Sequence, residues 1–277
     1  VTGQTVRIIV PSRKRSLNMT TIEALLPSAT VVVDEAEMPE YLTTPVAGRL
    51  VPHGGTKKGI ASHPAVVNWC QQAFDEDILV FLDDDFKRVF AWSGTAGRRI
   101  WGRTTDSGEI EQIIYNACQV CEDIDRTLFG WARTMNVVYL RLWEIPIVPS
   151  TMIGSAFGIR GASRRRKMNT NLLGRSAVDY TLQALLHDRA VYCDRRFYFD
   201  FGPIFGGAGG NSGVVSPEAF RRSTEALKEI WGAHVSATTI QAMPPKGLSK
   251  DGTPIYTAAT AESGISLNVQ RKNPRVR

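Results

Sequence analysis

The chain has 277 residues, 43% of them hydrophobic, and 33 Lys and Arg against 27 Asp and Glu give a net charge of +6. That size suffices for one large α/β domain or a domain with an appended lobe. No window approaches the ~18 apolar residues of a membrane span, the N-terminal segment has no signal-peptide pattern, and 4 cysteines are too few for a disulfide framework.

The first third alternates strand and helix. Val6 to Val10 is a short apolar run closed by Pro11-Ser12-Arg13, and a helix from about Asn18 to Leu26 stops at Pro27. Ala29 to Val33 predicts a second strand, ending at Asp34-Glu35. Ser62-His63-Pro64 opens another helix, because proline is tolerated in a first turn, and it runs to about Phe74. Ile78-Leu79-Val80-Phe81-Leu82 is uniformly apolar, as a strand buried on both faces requires. This β-α-β-α-β order implies a parallel sheet with right-handed crossovers.

Trp92 to Gly108 reads as a loop, and Glu109 to Leu128 as a helix with one apolar stripe. Cys118 and Cys121 fall on that helix with no second pair nearby, so free thiols in a reducing cytoplasm are expected rather than a zinc site. Met135 to Val148 predicts one or two strands, and residues 161–176 a polar, basic loop. A helix over Val178 to Leu186 and a strand over Ala190 to Phe199 follow. Gly202 to Gly213 is a glycine-rich loop, and Pro217 to Trp231 a helix behind Ser216 as its N-cap.

Chemistry concentrates at strand ends. Asp83-Asp84-Asp85 follows the apolar run, and acids there need a cation, because unpaired buried charge is costly. Mg²⁺ and Mn²⁺ take oxygen ligands and share their sphere with phosphates. In open α/β sheets, ligands bind outside the carboxyl ends of the strands. A metal-diphosphate site is one reading; an acidic turn solvated beside Lys87 and Arg88 is the bland one. Pro11, Ser12 and Arg13 lie where a nucleotide base or ribose would sit, and Asp34 could accept from ribose hydroxyls or a uracil N–H. Lys57 and Lys58, just before a helix start, could hold phosphate. The chain lacks G-x-G-x-x-G after its first strand and any P-loop, which disfavours dinucleotide dehydrogenases and P-loop NTPases. Arg164, Arg165, Arg166 and Lys167 form a basic cluster suited to nucleic-acid phosphates.

Ile8 to Arg13, the Asp34-Glu35 strand end and Phe81 to Asp85 together resemble glycosyltransferases of the GT-A type. The resemblance implies an α/β, Rossmann-like, mostly parallel sheet flanked by helices, with an acceptor-side lobe. It also implies a UDP-sugar donor and Mn²⁺ or Mg²⁺. Asp83 and Asp85 become the motif carboxylates, with Asp85 the direct ligand, and Asp84 faces ribose or sugar. His234 is the late histidine that some relatives use as a further ligand. Asp179, at the start of a late helix, takes the place of the catalytic base; as a cap it would merely accept backbone N–H bonds. A narrower likeness is to the TET-associated glycosyltransferases of bacteriophages, which act on hydroxymethylated pyrimidines in DNA such as 5-hydroxymethylcytosine. It implies a host-cytoplasmic enzyme that binds DNA through Arg164 to Lys167 and reaches a flipped base. Trp92 and Trp101 could stack on that base or a sugar. Residues 1–90 would be the nucleotide-sugar half, 91–235 the acceptor half and 236–277 a basic extension. The competing readings are a protein, glycan or lipid acceptor, a two-metal nucleotidyltransferase, and a non-catalytic DNA-binding protein.

Overall fold

The computed structural model describes residues 3–95, 98–132, 147–148, 153–201, 217–237, 247–248, 254–255 and 265–267. Its first half follows the expected alternation: β1 (Val6–Ser12), α1 (Met19–Leu25), β2 (Thr30–Asp34), the short α2 (Met38–Tyr41), β3 (Leu50–His53), α3 (His63–Ala73) and β4 (Ile78–Leu82). A hairpin of β5 (Arg88–Thr95) and β6 (Arg98–Thr104) leads into α4 (Ser107–Asp123) and β7 (Leu128–Ala132). Then come β8 (Ile147–Val148), β9 (Ala156–Arg160), α5 (Gly161–Arg165), α6 (Ser176–Asp188), β10 (Val191–Asp200), α7 (Pro217–Trp231) and β11 (Val235–Ala237).

One mixed sheet runs in the order β3-β2-β1-β4-β9-β7-β10-β5-β6. Its β1–β4 half is parallel, while β9 runs antiparallel to both β4 and β7. The chain leaves β1 towards β2 and β3 on one side, then returns to place β4 on the other. The β1/β4 boundary is therefore the topological switch point, where such sheets leave a crevice at their carboxyl edge. Helices cover both faces. Ile8, Val10, Val80 and Leu82 pack with α1 and α4 on one face, and Ile9, Leu79 and Phe81 with α3 and α6 on the other. That alternation explains why every residue of β4 is apolar.

Four expectations need correction. Trp92 to Gly108 is largely the β5–β6 hairpin, in which Trp92 and Trp101 are cross-strand partners rather than flanks of a loop. Its glycines and arginines masked the strand signal, and β6 is an edge strand, where neither is penalised by a partner on the far side. The long helix ends at Asp123, because Asp125 turns left-handed (φ 50) and the Arg126 N–H closes on the Cys121 carbonyl at 2.8 Å. Leu128 accordingly starts a strand. Residues 161–165 of the expected loop are helical. The strands β3, β7 and β9 went unforeseen. The Gly202 to Gly213 loop, the Ser216 cap and most of Met135 to Val148 lie outside the described residues. All four cysteines are buried free thiols.

Candidate active site

Parallel pairing brings the ends of β1, β2, β3 and β4 to one edge, and with them Ser12, Asp34, His53 and the three acids. The acids divide sharply. Asp84 is buried, 3% exposed. Its carboxylate accepts from the Ser12 hydroxyl at 2.7 Å and from Arg15 at 2.6 Å. Ser12 also lies 2.7 Å from the Tyr41 hydroxyl, which accepts from the Arg15 backbone N–H at 3.0 Å. Proton counting orders the chain: because Ser12 donates to Asp84, Tyr41 donates to Ser12. Burial, offset in part by Arg15 and Ser12, leaves the Asp84 carboxyl above its ordinary value. Both Asp84 oxygens are thus engaged within the protein. This carboxylate ties the end of β4 to the end of β1.

Asp83 and Asp85 are the acids left open, their side chains 35% and 20% exposed. Arg15 reaches Asp85 at 3.3 Å, weaker than its bond to Asp84. The Asp83 carboxyl is pushed up to about 7, first by its recessed setting and then by Asp85. Opposite it, 3.6 Å away, stands the Nε2 of His63, whose pKa burial pulls down to about 4. That separation is too long for a hydrogen bond. His63 was missed; the sequence marked it only as a helix opener.

Arg13 donates from its guanidinium to the Ala61 carbonyl at 2.8 Å, fastening the loop before α3 over the end of β1. Pro11 lies within β1, paired with Val32. Asp34 caps the turn after β2 by accepting from Ala36 N–H at 3.0 Å. The Gly55 backbone sits against this carboxylate so closely that a Cβ would come within 2.1 Å of it. Lys58 is exposed, its stem lying over Gly54.

Among the described residues, no three of His, Cys, Asp and Glu are grouped to hold a metal ion. His234, in an exposed turn after α7, is not joined to Asp83 and Asp85. The donor set that fits a hard cation is thus the two open carboxylates. An ion such as Mg²⁺ or Mn²⁺ accepts so few protein ligands when phosphate and water complete its sphere.

Asp179 is buried, 3% exposed, in the first turn of α6. One oxygen accepts from the Trp231 indole at 2.8 Å and the other from the Gln183 amide at 2.8 Å. Its helix reaches the acidic edge through one segment: Ile153 N–H donates to Thr181 at 3.1 Å, and Asp83 N–H to the Ser155 carbonyl at 3.0 Å.

The basic cluster goes elsewhere. Because β9 is antiparallel to β4, with Arg160 opposite Ile78, residues 161–167 emerge at the amino edge of the sheet. At ~3.3 Å per residue, the strand alone separates them from Asp83 by roughly 16 Å. Arg164 donates to the carbonyls of Gln71, Phe74 and Glu76, closing the end of α3. Arg166 forms a fork with Asp188 at 2.6 and 2.7 Å. Both are structural clamps, not phosphate contacts; Arg165 and Lys167 remain exposed.

The fold and edge geometry define an α/β sheet with a cluster of acids at its switch point. No family model matches the chain, and no curated protein does. Among solved structures, a mannosyltransferase from Pyrobaculum calidifontis, in complex with GDP-Man and Mn²⁺, is similar over 83% of this chain and 76% of its own, at 12% identity and TM-score 0.49. Glucosyl-3-phosphoglycerate synthase from Mycobacterium tuberculosis, in complex with Mn²⁺ and uridine-diphosphate-glucose, is similar over 86% and 83%, at 11% identity and TM-score 0.48. Similarity of that degree assigns neither a family nor a ligand.

Proposed function

We propose that the chain is a glycosyltransferase that takes a UDP-sugar and a divalent ion at the β1/β4 crevice. One observation carries this reading: of three adjacent acids at the switch point, the middle one is buried in an internal network and the outer two are left open. A solvated acidic turn would need no such network. Asp83 and Asp85 would hold the ion, which when bound neutralises the diphosphate as it departs. Arg13 and Asp34 line the neighbouring strand ends, where base and ribose would lie, and Lys58 stands free to meet phosphate. Asp179 would accept the proton of the attacking acceptor hydroxyl.

The acceptor implied by the sequence likeness is a hydroxymethylated pyrimidine in DNA. Its support is that likeness and the +6 net charge; Arg164 and Arg166 no longer contribute to it. The test is transfer of labelled sugar from a panel of UDP-sugars to DNA containing 5-hydroxymethylcytosine, to unmodified DNA and to water, with Mn²⁺ and with EDTA. Label in modified DNA alone supports the full reading. Metal-dependent hydrolysis without transfer to DNA keeps the donor chemistry and removes that acceptor. A protein that binds nucleoside triphosphates but no UDP-sugar would be a nucleotidyltransferase instead.

A further inference from the structure

We infer that Trp231 is a positioning residue for Asp179, and that α7 exists in part to deliver it; this rests on the proposed role of Asp179 as base. The pattern of α7 sets the geometry. Phe220, Thr224, Leu227 and Trp231 recur at spacings of three and four and so share one face. That face lies on α6. The Arg175 guanidinium stacks 3.7 Å from the Phe220 ring centroid, and its Nε donates to the Thr224 hydroxyl at 2.9 Å. Leu227 packs with Val178 and Leu182 in a small core of its own. At the far end the Trp231 indole N–H meets the Asp179 carboxylate.

The other oxygen of Asp179 is held with equal care. The Gln183 amide nitrogen donates to it and, at 3.1 Å, to the Lys167 carbonyl, so both amide protons are committed. Both holders are neutral. Among the described residues no cation pairs with Asp179, so this acid is buried at a cost that its two neutral donors only partly offset. An acid kept there, aimed by two uncharged donors, suits a group that must take a proton at a fixed place. Each carboxylate oxygen has a second lone pair, so the two bonds fix orientation without exhausting acceptor capacity.

The test pairs kinetics with a spectroscopic reading on the full chain. Trp231→Phe keeps the ring and removes the N–H. Sugar transfer should lose turnover by roughly 10- to 100-fold, as for a reacting group set slightly out of line. The donor KM should stay near wild type, and the melting temperature should fall only by what one lost hydrogen bond to a carboxylate costs, leaving the protein folded at the assay temperature. In ¹⁵N-tryptophan-labelled protein, the Trp231 indole resonance should move clearly in Asp179→Asn. Wild-type turnover in Trp231→Phe, or an indole resonance unmoved by Asp179→Asn, overturns the inference. So does a Trp231→Phe loss matched by equal loss of donor binding or by melting. Asp179→Asn with full turnover removes the base itself, and distinguishes failure of that reading from failure of the Trp231 contact.

Discussion

Three identical neighbours at the end of β4 have three different environments, and their variants should separate accordingly. Asp84→Ala strands Arg15 and Ser12 in a buried network and should cost roughly 3–5 kcal/mol in urea denaturation. Asp85→Ala should leave stability near wild type but abolish Mn²⁺-dependent binding of the donor, read by calorimetry. Asp83 should impose a pH dependence on the metal. Its carboxyl, raised to about 7, must shed a proton to ligate. Apparent Mn²⁺ affinity should therefore fall as pH drops below about 7, by up to about tenfold per unit, with proton release detectable by calorimetry in buffers of different ionisation heat. An affinity flat from pH 8 to 5.5 would show that Asp83 is not a ligand. Gly55 offers a further residue-scale test. At φ 56 and pressed on Asp34, it should not tolerate alanine, which would cost roughly 1–3 kcal/mol.

At the scale of elements, legibility followed uninterrupted runs of β-branched and aliphatic residues rather than burial, since β7 (Leu128–Ala132) and β9 (Ala156–Arg160) are almost wholly buried yet carry Gly130 and Gly158 and were not foreseen. The strands β1, β2 and β4 were readable because each holds an unbroken apolar run, Ile8 to Val10, Val31 to Val33 and Ile78 to Leu82, covered on both faces. The β5–β6 hairpin was not, since its edge strand β6 tolerates Gly102 and Arg103, which read as loop. The site was legible where chemistry clusters in sequence, at Asp83 to Asp85. Arg15, Tyr41 and His63 reach it from other elements, as Trp231 reaches Asp179, and no local pattern announces such meetings. The basic cluster misled for a related reason: sequence shows charge but not its partner. Asp188 is raised by burial, but the bonds from Arg166 and Thr127 outweigh this and leave it below its ordinary value. The pair thus stabilises above the unfolded carboxylate value of about 3.9 and is lost as pH falls through the lower folded one. Arg166→Ala should cost roughly 1–3 kcal/mol at pH 7, allowing for the pair's partial exposure, and should flatten the acid limb of the stability curve.

Across the whole molecule, the acidic and basic features occupy opposite edges of one sheet. Replacing Arg165 and Lys167 together with alanine should leave donor KM and metal affinity within about twofold of wild type, because the intervening ~16 Å exceeds a Debye length at physiological salt. If the double variant abolishes sugar transfer to every acceptor, the two edges communicate in a way this architecture does not explain.

The antiparallel strand between β4 and β7 also has a consequence for the order of synthesis. β4 is complete at Leu82, but its second partner is not made until Ala156 to Arg160. At ~5–20 residues per second, a ribosome leaves that edge open for roughly 4–15 s. The open edge is Ile-Leu-Val-Phe-Leu, apolar, uncharged and proline-free, the kind of segment that pairs with copies of itself. A nascent chain stalled before residue 156 would be a client for holding chaperones, and production of this protein should respond more to slower translation and chaperone supply than to any change on its finished surface.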